Sequence, residues 1–141
     1  MHPIYPFTHI HFHKEKIMVT HKDLDVWKMS MDLVKEIYTL TDTFPTYEQF
    51  GLTSQLRRAS VSVPSNIAEG SARNGNKEFI NFCYISLGSL SEIETQIIIA
   101  YELNFLEDTV TQSVLQKIEL IRKKLLNFIK YLKKRGTANV K

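Results

Sequence analysis

The chain has little of three things that would declare a function: cysteine, long apolar runs, and histidine beyond its first residues. The lone thiol, Cys83, has no partner for an intrachain disulfide, which excludes a disulfide-stapled secreted scaffold. Its neighbours Phe82 and Ile85 mark a small buried side chain, and nothing around it reads as the setting that activates a thiolate. No apolar run approaches the roughly 20 residues that cross a bilayer, and the N-terminus lacks the charged start and apolar core of a secretory signal. A cytoplasmic location is the expectation. All five histidines lie within the first 21 residues, so no histidine-based triad can form in the rest of the chain. The Glu-x-x-His signature of di-iron bundles and a glycine-rich phosphate loop are also missing. We therefore expect a non-enzymatic protein with no metal or cofactor. The strongest enzymatic alternative is a hydrolytic site built from Glu69, Glu94 and Arg58.

What is present fits one domain, since 141 residues can bury a core without disulfides or metal. The formal charge is +3, but residues 104–141 hold nine Lys/Arg against three Asp/Glu, a local +6 that leaves −3 for the rest of the chain. A basic end attracts phosphates; cations also favour the C-terminal end of a helix dipole.

Residues 1–21 read as a flexible arm, with Pro3 and Pro6 among scattered apolar groups. His9, His11 and His13 alternate, so an extended arm would turn three imidazoles to one side, in reach of a transition metal; the alternative is adventitious histidine in a tail. Met18 is a second candidate initiator. The bundle is expected over residues 22–135 and a disordered tail over 136–141.

Four helices follow from periodicity. The first spans about residues 23–43, with Asp23 as N-cap and two apolar stripes. One stripe is Trp27, Met31, Val34, Tyr38 and Thr41; the other is Val26, Met29, Leu33, Ile37, Leu40 and Phe44. Two stripes mean more burial than one partner helix explains. Phe44-Pro45 stops the helix, and Thr46 with Gln49 caps a short turn. The second helix, about 52–69, carries Leu56, Ala59, Val63 and Ile67 as its seam. Pro64 inside it predicts a bend, with Ser60 or a water compensating the freed Ser60 carbonyl. Gly70 suits the stop, and Asn74-Gly75-Asn76 the next turn. In the third, about 77–103, Ser86, Gly88 and Ser89 permit close approach of the second helix. A Thr109–Gln112 capping box opens the fourth, whose stripe is Val114, Ile118, Ile121, Leu125, Phe128 and Leu132. Short connections predict an all-α, antiparallel up-down-up-down four-helix bundle.

The most distinctive stretch is residues 51–70, GLTSQLRRASVSVPSNIAEG. Together with Asp25-Val26-Trp27, Phe44-Pro45, Glu48, Phe50 and Gly88-Ser89-Leu90 with Glu92 and Glu94, it resembles the bacterial 23S rRNA intervening-sequence proteins. The likeness covers about residues 24–132, and the run from Arg57-Arg58-Ala59 to Asn66-Ile67-Ala68-Glu69-Gly70 is its most specific part. Ser60 and Val63 stand where that family often has alanine and isoleucine. The resemblance implies an antiparallel four-helix bundle assembled as a homopentamer. It also implies kinship with the accessory variability protein of diversity-generating retroelements, a basic pentamer that binds a reverse transcriptase and nucleic acid.

Arg57 and Arg58 project about 100° apart on a helix, so only one of them faces inward easily. Glu69, Glu92 and Glu94 are the candidate acids, and Gln55, Ser60, Ser62 and Asn66 complete a polar network or subunit interface, because a buried arginine requires pairing. The functional alternative is that these side chains line a ligand or RNA site. Nucleic-acid binding, the leading expectation, would use Lys117, Arg122, Lys123, Lys124, Lys130, Lys133, Lys134 and Arg135 as phosphate contacts without base readout. The runner-up is an oligomeric protein scaffold, with Tyr47 and Phe50 in interfaces.

Overall fold

The computed structural model describes residues 20–138. Four helices carry the fold: α1 (Asp25–Thr41), α2 (Leu52–Ser71), α3 (Asn76–Glu102) and α4 (Asp108–Ala138), with single 3-10 turns at His21–Asp23 and Thr46–Glu48. The described residues contain no strand, as expected for the all-α class, and none of their helices is long and apolar enough to cross a membrane. Consecutive helices pack together and α1 also meets α4, so the four enclose one core. The alternating His9, His11 and His13 lie outside the described residues. Among the described residues no group of three His, Cys, Asp or Glu side chains is arranged to hold a metal ion.

A capped 3-10 turn precedes α1. Thr20 accepts a hydrogen bond from the Lys22 N–H while Asp23 accepts one from the Thr20 N–H, a reciprocal cap that orders His21 as well. Of the two apolar stripes of α1, the second faces inward, burying Val26, Leu33, Ile37 and then Phe44. The helix stops at Thr41, and Phe44 turns back to meet the Phe105 ring at 5.6 Å. That contact depends on a left-handed residue after α3. Asn104 takes φ 64°, and the Asn104 and Phe105 N–H groups donate to the Tyr101 and Ala100 carbonyls, a paired C-terminal cap.

In α2 the seam Leu56, Ala59, Val63 and Ile67 is fully enclosed, and the helix runs unbroken through Pro64. The Ser60 hydroxyl does not serve its own carbonyl; it donates to the Arg57 carbonyl at 2.9 Å. A serine in a helix reaches one turn back, not its own C=O. The packing of α2 on α3 is the most extensive in the molecule. Its contacts run from Gln55 with Gln96, through Ser62 with Ser89 and Val63 with Ser86, to Gly70 against Phe79 and Phe82. Ser86 and Ser89 thus serve the close approach, whereas Gly88 faces open space. Gly70 does not end α2 but lies inside it. The left-handed turn falls on Gly75, φ 105°.

Along α4, Val114, Ile118, Ile121, Leu125, Ile129 and Leu132 are buried, and Phe128 is half-buried at the edge. The helix starts at Asp108, so Thr109 and Gln112 are exposed residues within it and form no entry cap. It continues through Gly136 to Ala138, past the expected end at residue 135.

A Cβ placed on Gly70 would lie 2.8 Å from the Phe82 Cβ, too close without moving α2 from α3. Gly70→Ala should therefore cost about 1–3 kcal/mol. Gly88→Ala, with open space and a better helix former, should gain about 0.5–1 kcal/mol. Urea unfolding of both variants checks the pair; equal effects would contradict the close approach.

Candidate functional site

The polar residues of α2 and α3 separate into local groups instead of one network. Arg57 reaches the end of α1: its Nε donates to Thr41 Oγ1 at 2.9 Å, and its terminal nitrogen to Asp42 at 3.2 Å and to the Tyr38 carbonyl at 3.4 Å. Its guanidinium also lies 4.6 Å from the Tyr38 ring centroid. The inward arginine thus pairs with Asp42, not with Glu69, Glu92 or Glu94, and the cation meets the negative end of the α1 dipole. Arg58 is exposed and has no partner among the described residues. Asn66 donates to the Ser62 carbonyl and hydroxyl, and Ser62 shares a hydrogen bond with Ser89. Gln96 donates to Gln55 and Glu92, while its Oε1 is buried without a partner. Glu69 pairs with Arg73 at 2.9 Å within one turn.

An open groove of about 750 Å³ lies over this segment, lined by Tyr38, Phe50, Arg57, Arg58, Val61 and Asn66. Phe50 stands 91% exposed at its rim. The groove holds no acid and no histidine, so the hydrolytic alternative loses its geometry: Glu94 is on the far side of α3, paired with Arg122 at 3.3 Å.

The cations of α4 divide into three sets. Lys117 pairs with Glu36 of α1, Arg122 with Glu94 and Glu119, and Lys124 lies 4.0 Å from Asp25. Lys123, Lys130 and Lys134 lie on the outward face and have no partner among the described residues. No acidic residue follows Glu119 in the chain. The remaining two cations are engaged by aromatics. Lys133 donates to the Tyr84 hydroxyl at 3.0 Å and Arg135 to the Tyr131 hydroxyl at 3.2 Å. Arg73, near the same end, sits 5.1 Å from the Phe82 centroid. Tyr84, Tyr131 and Arg73 were not among the residues expected from sequence. Only Tyr131 carried a sequence signal, as an aromatic set between Lys130 and Lys133; nothing in the sequence marked Tyr84 or Arg73.

A separate surface is apolar. Ile85, Ile98, Ile99 and Leu103 are exposed on the outer face of α3, around Gly88 and Glu92.

Cys83 is buried, and that burial pushes its thiol from 9.0 up to about 12. At neutral pH it is no nucleophile. The unfolded chain ionises this thiol near its ordinary value while the folded chain keeps the proton. Stability is therefore full below about pH 9 and falls as pH rises towards 12, by up to about 1.4 kcal/mol per unit. Urea unfolding at pH 8, 9 and 10 should show that slope, and Cys83→Ala should lack the thiol's share of it.

Comparison with known families and structures places this geometry. The family model described as 23S rRNA-intervening sequence protein matches residues 22–127. Comparison with curated proteins gave no match. Among solved structures, a protein of unknown function from the S23 ribosomal protein family of Bacteroides thetaiotaomicron is similar. It has a TM-score of 0.69 at 23% identity, covering 74% of this chain and 95% of that one. At that identity the likeness establishes the fold alone. The matched segment runs from the first turn of the body well into α4 and holds the arginine-serine stretch of α2, so the chain belongs to the 23S rRNA-intervening sequence protein family.

Proposed function

We propose that this protein is non-enzymatic, assembles with copies of itself, and associates with the phosphate backbone of nucleic acid through the outward face of α4. The observation that carries this reading is the division of the α4 cations. Those facing α1 and α3 are answered by carboxylates, whereas Lys123, Lys130 and Lys134 form an outward row on a stretch without acids. Charge left uncompensated in this way draws phosphate and releases counterions, which gives salt-dependent and sequence-tolerant binding. Assembly, proposed as a homopentamer on the family resemblance, multiplies a modest patch by avidity. The exposed apolar face of α3 supports self-association, because Ile85, Ile99 and Leu103 are left about half exposed by the described residues. The same face supports a second reading, an oligomeric scaffold for another protein without nucleic acid.

Charge reversal at Lys123, Lys130 and Lys134 should weaken duplex DNA binding more than about tenfold. It should also reduce the slope of log K against log salt by about 2–3. A Lys28→Glu/Lys35→Glu control on α1 should change neither. Absence of binding at low salt by the unaltered protein contradicts the nucleic-acid reading and leaves the scaffold. Light scattering tests assembly: five times the 16.4 kDa chain mass is expected, with Ile99→Asp lowering it. A monomer mass for the unaltered protein contradicts self-association.

A further inference from the structure

We infer that the end of the bundle where α3 begins and α4 finishes is a site for single-stranded nucleic acid, in which unpaired bases stack on Tyr84 and Tyr131. The inference rests on the reading of α4 as a nucleic-acid surface and adds what that surface selects. Tyr84 is 46% and Tyr131 50% exposed, so neither ring is spent on the core. Each ring is held at its hydroxyl by a cation, Lys133 on Tyr84 and Arg135 on Tyr131, with the charges 5.5 Å and 5.7 Å from the ring centroids. Every ring therefore comes with a fixed positive group at its edge: a base can lie on the face while the adjoining phosphate meets the cation.

Tyr131 is further positioned from behind. Phe128 stacks on it at 6.1 Å and 24°, and Phe79 holds Phe128 edge-on at 5.2 Å, which leaves the opposite face of Tyr131 for a ligand. Beside it runs a groove of about 530 Å³ lined in part by His21, Phe79 and Arg135. Burial, with Lys22 nearby, holds the His21 imidazole below its ordinary value. Positions 131 and 133 point about 200° apart on a helix, which puts the two ring-and-cation units on opposite flanks of α4. Lys130 and Lys134 lie on the face between them. A helix is about 10–12 Å across with its side chains, a width that a strand of a few nucleotides covers. Glu69, the acid beside Arg73, is already neutralised by it.

A duplex keeps its bases stacked inside and offers these rings only phosphates. A single strand offers π-faces, and each stack contributes roughly tenfold or more in affinity whatever the base. Stacking and phosphate contact do not read the ribose 2′-hydroxyl, so RNA and DNA strands should bind alike.

The test is fluorescence anisotropy on the full chain with three labelled probes of equal length: oligo-U, oligo-dT and a mixed-sequence DNA duplex. Both strands should bind at least tenfold tighter than the duplex. Tyr84→Leu/Tyr131→Leu should lose that advantage, falling at least tenfold on strands and less than threefold on duplex, while Tyr84→Phe/Tyr131→Phe, which keeps the rings, retains most of it. Should the leucine variant fail to fold, the strand-to-duplex ratio and the phenylalanine variant decide. Equal affinity for strand and duplex, with the leucine variant unchanged, overturns stacking yet leaves the backbone reading intact if charge reversal on α4 still weakens both. No binding of any probe at low salt overturns both.

Discussion

At the seam between α2 and α3 the Ser86 hydroxyl donates to the Val63 carbonyl at 2.8 Å, Ser62 and Ser89 share a hydrogen bond at 2.8 Å, and Gly70 presses on Phe79 and Phe82 where no Cβ would fit. Small side chains bring the two backbones close, and their hydroxyls are satisfied within the seam, so little desolvation cost is left. The rest of the molecule follows from this contact. The polar composition of residues 51–70 is mostly consumed by packing: Arg57 anchors α1, Ser62 and Asn66 bind each other, and Arg58 alone of the arginine pair is left to solvent. The most distinctive segment of the sequence therefore builds the scaffold.

On α4 the decisive effect is compensation of charge. The pairs Lys117–Glu36 and Arg122–Glu94 bridge to neighbouring helices at partly exposed positions, where such pairs contribute at most about 1 kcal/mol each. Their larger consequence is electrostatic. They remove the cations nearest the bundle from the field that a ligand meets and leave an outward row that ends among aromatic rings. One helix thereby carries an inner face of branched aliphatics, two flanks tied to neighbours and one uncompensated face.

Much of this was legible in the chain. The helical spacing of Leu56, Ala59, Val63 and Ile67, and of Val114, Ile118, Ile121 and Leu125, marks residues that are buried, because a 3.6-residue period leaves few alternatives once the helix is long. Partners were less legible. Arg57 meets Asp42 because the end of α1 lies beside the start of α2, a proximity that a search among acids on α3 misses. Glycine was ambiguous for the same reason. Gly70 and Gly88 read as a stop and a contact, whereas one is a contact and the other open surface, and only the facing helix distinguishes them. Thr109 and Gln112 match a capping pattern, but Asp108 already opens the helix. The ring-and-cation pairs at the end of α4 were hidden because Tyr84 and Lys133 are far apart in sequence.

The central claim is that nucleic acid runs over the outward face and end of α4, not over the arginine-serine stretch of α2. Photocrosslinking with 4-thiouridine RNA, followed by mass spectrometry of the attached peptides, tests this most directly. Adducts should concentrate on Tyr84, Tyr131 and the peptides between residues 123 and 135. Adducts gathered instead on residues 50–66, around Phe50 and Arg58, would contradict it.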